Sequence, residues 1–116
     1  MTNGVFFRIE ALGREVDAAN PETCSGLDTI MELLASLSSD GDFFGLLDET
    51  DTCLQVRFED ERNQYWVEVP RPDMGGSYGA HLNFDDAVKI FKDLPERFPN
   101  TGFQGFEFVS WGGPKH

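Results

Sequence analysis

The run Gly75-Gly76-Ser77-Tyr78-Gly79 has the G-x-S-x-G form of a hydrolase nucleophile turn. That chemistry requires a strand before the serine, a helix directly after it, and a general base further along the chain. The downstream histidines are His81, two residues past the motif, and the terminal His116, and neither position suits the base. The stretch therefore reads as a flexible glycine loop joining two strands. No Gly-Lys-Ser/Thr follows it and no G-x-G-x-x-G opens a helix, so it is not a phosphate cradle. His81 needs a carboxylate to orient it before it can move a proton. For metal ligation there are one internal histidine and two cysteines, Cys24 and Cys53, 29 residues apart, too few and too scattered for zinc. Asp40, Asp42, Asp48, Glu49 and Asp51 lack the D-x-D-x-D-G spacing and the closing glutamate of a calcium loop. No catalytic set, no metal site and no cofactor is expected.

The acids say more as a surface than as ligands. Twenty-one acids against 9 bases leave a net charge of -12 and a pI near 4.3. That charge disfavours a grip on nucleic-acid phosphates or an anionic membrane, and favours a basic partner. Ten carboxylates fall between Arg14 and Arg57: Glu15, Asp17, Glu22, Asp28, Glu32, Asp40, Asp42, Asp48, Glu49 and Asp51. No Lys, Arg or His interrupts them, so residues 15–56 hold -10 of the net charge. A solvated face that keeps the protein soluble is one explanation. An acidic face that captures a cationic protein is the other.

The elements that must position these residues follow from periodicity. Residues 5–12 read as a first strand ending at Gly13, and a loop through Asn20-Pro21 follows. Ser25 with Asp28 reads as a capping box, and Leu27, Ile30, Met31, Leu34 and Leu37 form one helical stripe. Residues 43–47 make a short apolar strand. Leu54, Val56 and Phe58, then Tyr65, Val67 and Val69, alternate with polar neighbours across the turn Asp60-Glu61-Arg62-Asn63, which predicts an antiparallel hairpin. Pro70 and Pro72 should close its second strand. A short strand over 78–82 precedes a helix capped by Asn83, with Phe84, Ala87, Val88, Phe91 and Leu94 buried and Pro95 as its stop. Residues 103–111, apolar on both faces, read as a central strand. The expected fold is a single α+β domain spanning 1–116, a five- or six-stranded, mainly antiparallel sheet with two amphipathic helices on one face.

The N-terminus has no basic flank and no apolar run of signal-peptide length, and two cysteines do not make a disulfide framework. Both point to the cytoplasm and to free, partly buried thiols. Trp66 lies on the polar side of its strand, either packed under a helix or exposed as an interface anchor, and Tyr78 is a second candidate anchor.

The strand pair ending Gln64-Tyr65-Trp66-Val67-Glu68-Val69-Pro70, the loop Gly75 to Gly79, the helix Phe84-Asp85-Asp86-Ala87-Val88-Lys89-Ile90-Phe91 and a last strand ending at Trp111 resemble bacterial immunity proteins. These belong to contact-dependent growth inhibition and related polymorphic toxin systems, and the likeness covers roughly residues 53–111. The resemblance implies a non-enzymatic protein that binds a cognate toxin stoichiometrically, often a nuclease, many members covering a basic cleft with acidic groups. The expected contacts with a basic toxin are Asp40, Asp42, Asp48, Glu49 and Asp51, the hairpin-turn acids Glu59, Asp60 and Glu61, and the anchors Trp66 and Tyr78. Two other readings compete. One is a small-ligand or regulatory module with a pocket near Tyr78 and His81. The other is a small enzyme using His81 and a neighbouring carboxylate.

Overall fold

Alternation of apolar residues along the central strands leaves one face of a sheet dry, and the rest of the chain is arranged to cover it. The computed structural model describes residues 4–23 and 26–111. Seven strands form one antiparallel sheet: β1 (Gly4–Ile9), β2 (Arg14–Val16), β3 (Phe43–Leu47), β4 (Cys53–Glu59), β5 (Gln64–Arg71), β6 (Gly76–Leu82) and β7 (Glu107–Ser110). Their spatial order is β2-β1-β3-β4-β5-β6-β7, so the strands from β3 to β6 form a continuous meander. Helix α1 (Leu27–Ser36) connects β2 to β3, and α2 (Phe84–Lys92) connects β6 to β7. The fold is α+β in a single domain.

One face of the sheet carries Val5, Phe7, Ile9, Phe44, Leu46, Leu54, Val56, Phe58, Tyr65, Val67 and Val69, all buried. They form a single cluster with Ile30, Leu33 and Leu34 of α1, the following Leu37, and Ala87 and Phe91 of α2. Phe91 meets Phe44 with ring centroids 5.4 Å apart, and Phe84 meets Tyr65 at 6.1 Å. Both helices therefore lie on this face.

The hairpin of β4 and β5 pairs Gln55 with Glu68 and Glu59 with Gln64, and Asn63 takes the left-handed conformation its turn requires (φ 51°). Asn83 caps α2 as expected, its side chain accepting from the Asp86 amide at 2.8 Å. Other expectations are corrected. The first strand ends at Ile9 in a 3-10 turn, and the chain reverses through Gly13 into the short β2, which is why there are seven strands. The cap of α1 is Gly26 with no side-chain hydrogen bond; Ser25, like Cys24, lies outside the described residues. Leu27 is exposed and Leu33 takes its place in the buried stripe. Strand β5 runs through Pro70 to Arg71, because at Pro70 the ladder to β4 has already ended at the Gln55–Glu68 pair.

The glycine run is not a loop. Gly76 to Gly79 lie within β6, and a Cβ at Gly79 would stand 2.5 Å from the Trp66 ring. Gly45 is covered in the same manner by Phe6. These glycines admit aromatic rings flat against the sheet. The last strand is an edge, not the centre: β7 is four residues long and exposed throughout, pairing only with β6.

Candidate functional site

The face opposite the helices carries no layer of secondary structure among the described residues. Successive cross-strand pairs fix its rows. Phe6, Gly45, Gln55, Glu68, Gly79 and Glu107 share one row, and Arg8, Phe43, Arg57, Trp66 and His81 the next. Ser77 and Val109 face each other one pair further on.

The acidic interval does not form one surface. Asp40 and Asp42 precede β3, at the end where β4 finishes in Glu59 and the chain turns through Asp60 and Glu61. Asp48, Glu49 and Asp51 lie in the β3–β4 turn, at the far end of strands about 17 Å long. Asp42 and Asp48 are buried and occupied by the fold. Asp42 accepts from the amides of Glu10 (3.2 Å), Ser38 (3.1 Å) and Ser39 (3.0 Å), tying the end of α1 to the turn after β1. Asp48 accepts from the amides of Thr50 (2.8 Å), Thr52 (3.0 Å) and Phe98 (2.8 Å) and from the Thr50 hydroxyl (2.7 Å). Burial pushes both carboxyls upward, but these donors outweigh it and hold both below the ordinary aspartate value. Neither offers a carboxylate to a partner. Glu49 pairs with Arg97 at 3.0 Å on the surface, and Asp51 is exposed with φ 63°.

The other predicted acids come together. Asp40 accepts from the Asp60 amide at 3.1 Å. Glu59 receives His81 Nε2 at 2.9 Å and Arg57 at 3.2 Å. The His81 ring lies against Trp66, centroids 4.8 Å apart. Two depressions of about 520 and 450 Å³ adjoin here and share Asp40, the second also lined by Glu59, Glu61 and His81. Asp40, Glu59, Asp60, Glu61 and Trp66 thus sit at one end of the uncovered face, with Arg57 and Arg62 among them.

Tyr78 does not join them. It pairs with Val69, on the helix-bearing face, and its ring packs edge-on to Phe108 at 5.3 Å. His81 pairs with Trp66 on the opposite face. An odd spacing along a strand separates their side chains, so a pocket lined by both Tyr78 and His81 is not formed. His81 does have the oriented carboxylate that proton transfer needs, in Glu59. The serine of the motif, Ser77, is on the same face but four residues away, about 13 Å along the strand. Its proton is directed to Glu68 at 2.7 Å. Serine and imidazole therefore do not form a nucleophile–base pair.

Glu68 and Gln55, not singled out from the sequence, join Ser77 and Trp111 in one hydrogen-bonded set on this face. Glu68 is 7% exposed. It receives Ser77 Oγ–H at 2.7 Å and, weakly, Gln55 Nε2 at 3.5 Å; Trp111 Nε1–H in turn donates to Ser77 Oγ at 3.1 Å. An acid between two valines carries no signal in the sequence that it will be enclosed on the non-helical face. Cys53, also on this face, has a free thiol pushed up to about 12, first by burial and then by the Glu68 charge. Among the described residues no cluster of His, Cys, Asp or Glu is arranged to hold a metal, and no helix is long and apolar enough to cross a membrane. No family model matches the chain, nor does any curated protein or solved structure.

Proposed function

We propose that the protein is an immunity protein that binds and neutralises a cognate basic toxin domain in the cytoplasm, with no cofactor and no chemistry of its own. The observation that carries this reading is the gathering of Asp40, Glu59, Asp60 and Glu61 beside Trp66, at the end of a sheet face that no helix of the described residues covers. A rim of carboxylates raises the encounter rate with a cationic surface, and an aromatic side chain at its margin supplies the desolvated contact that slows dissociation. Glu59 already neutralises Arg57, so Asp40, Asp60 and Glu61, set against Arg62 alone, leave this end negative. The turn acids Glu49 and Asp51, at the other end of the sheet, and Tyr78, on the other face, are not part of the proposed contact.

The test starts from the reading frame beside this one. A long secreted protein with a basic C-terminal domain is expected there, and co-expression should rescue cells from that domain. Replacing Asp40, Glu59, Asp60 and Glu61 together by Lys should weaken the complex on the order of 100-fold and flatten its salt dependence. A complex whose affinity and salt dependence survive those four reversals contradicts the proposal.

A further inference from the structure

A carboxylate buried on a sheet face is costly unless a cation or a dense set of donors answers it. Asp42 and Asp48 meet that requirement with three and four donors respectively. Glu68 does not. It is as enclosed as Asp42, yet receives one strong hydrogen bond from Ser77 and one long one from Gln55. Among the described residues no lysine or arginine is paired with it. Arg57, the cation on the neighbouring strand, is engaged with Glu59.

Glu68 lies at the floor of a depression of about 390 Å³ whose walls include Trp66, Pro70, Val109 and Trp111, and also Arg57, whose guanidinium is held by Glu59. Trp111 is 52% exposed but fixed at two points, by its amide on the Gly75 carbonyl at 3.0 Å and by its indole N–H on Ser77. Trp66 is fixed over Gly79, where a side chain would displace it. The indole N–H of Trp111 and the hydroxyl of Ser77 form a chain that ends on Glu68, so the aromatic wall and the acid are held as one unit. Two indoles and an under-coordinated carboxylate lining one depression suit a cation, through ring contact and a charge-assisted hydrogen bond.

From this geometry we infer that the Trp66–Glu68–Ser77–Trp111 depression is a receptor for a single basic side chain, a lysine ammonium or an arginine guanidinium, presented by another polypeptide. The depression is open toward solvent at Val109 and Trp111, which suits a side chain entering from above the sheet and not an enclosed metabolite. The inference does not rest on the toxin reading, because Glu68 and Trp111 lie outside the acidic contact proposed above and report on this depression.

The experiment titrates the intact protein with N-acetyl-lysine methylamide, N-acetyl-arginine methylamide and the neutral N-acetyl-norleucine methylamide, and follows the two indole N–H signals by NMR. Saturable shifts of both indoles are expected with at least one cationic probe and not with norleucine. Glu68→Gln, which keeps the side chain's shape, should weaken that binding about tenfold, the loss expected for one charge-assisted hydrogen bond. Trp111→Leu, at an exposed position that leaves the core intact, should weaken it as well and carries the test if Glu68→Gln does not fold. Saturable shifts with a free cation such as tetramethylammonium but with neither capped amino acid would overturn the assignment to a basic side chain. So would a wild-type protein that responds to no cationic probe, an equal response to norleucine, or undiminished binding in the variants.

Discussion

The two faces of the sheet are made by the same strands and follow opposite rules. The helix-bearing face contains eleven buried side chains from β1, β3, β4 and β5, ten of them wholly apolar and the eleventh Tyr65. The other face mixes aromatic rings laid over glycines with Gln55, Glu68, Ser77 and the Glu59–His81 pair. Alternation with period two gives each strand one residue for the core and one for the outside, so the second set is released from the demands of packing. The difference teaches where selection for binding is free to act. On the first face a substitution changes folding; on the second it changes the surface shown to solvent.

The largest effect should come from breaking the first face. Phe44, fully buried against Phe91, should cost about 4 kcal/mol when replaced by alanine, measured by denaturant unfolding. A loss under about 1 kcal/mol would show that the core is not where the burial pattern puts it. Next comes Asp48, whose replacement by alanine strands the buried Phe98 amide and should cost about 3 kcal/mol. Its lowered carboxyl also makes a pH prediction. A carboxyl lowered in the fold contributes stability that is present above its unfolded value and lost as pH falls through its folded value. Asp48→Asn should therefore flatten the acid limb of the stability curve below about pH 5, where wild type declines.

Glu68→Gln should behave differently, although Glu68 is comparably buried. Stability should stay within about 1 kcal/mol of wild type, or rise, because a carboxylate without a cation gains little from enclosure. Because the Glu68 charge helps to raise the Cys53 thiol, the same change made in a Cys24→Ser background should speed reaction of Cys53 with a disulfide reagent at pH 8. Unchanged thiol reactivity would mean that Glu68 does not act on the Cys53 thiol. The smallest effect on folding belongs to Asp60→Lys with Glu61→Lys, both exposed, expected within about 0.5 kcal/mol of wild type while altering affinity for a basic protein.

The parts of the fold legible in the sequence are those where one local rule acts alone. Strict alternation from Leu54 to Val69 gave the hairpin, and Asn83 with Asp86 three residues later gave the cap of α2. Strand β2 is not legible, because Arg14-Glu15-Val16 has two charges in three residues and lies at the sheet edge, paired in the ladder with β1. The strand glycines read as a loop in the sequence, since glycine marks a turn or a close approach alike and only the Trp66 ring over Gly79 tells which. Apolar residues on both faces of 103–111 suggested a central strand. In fact Phe108 packs on Tyr78 on one side while Trp111 reaches Ser77 on the other. For the site, composition located the charge but not its use. Asp48 and Thr50 have the spacing of an aspartate turn, which could have marked Asp48 as structural. Nothing comparable marks Glu68, whose setting is made by residues from three other segments, at Gln55, Ser77 and Trp111.

The most direct test is to add the basic domain that the proposed function calls for and record which signals of the protein move. Binding on the uncovered face should shift the indole N–H signals of Trp66 and Trp111 and the amides of Glu59, Asp60, Glu61 and His81, while α1 and α2 stay still. Shifts centred on the helices, with both indoles unmoved, would contradict it.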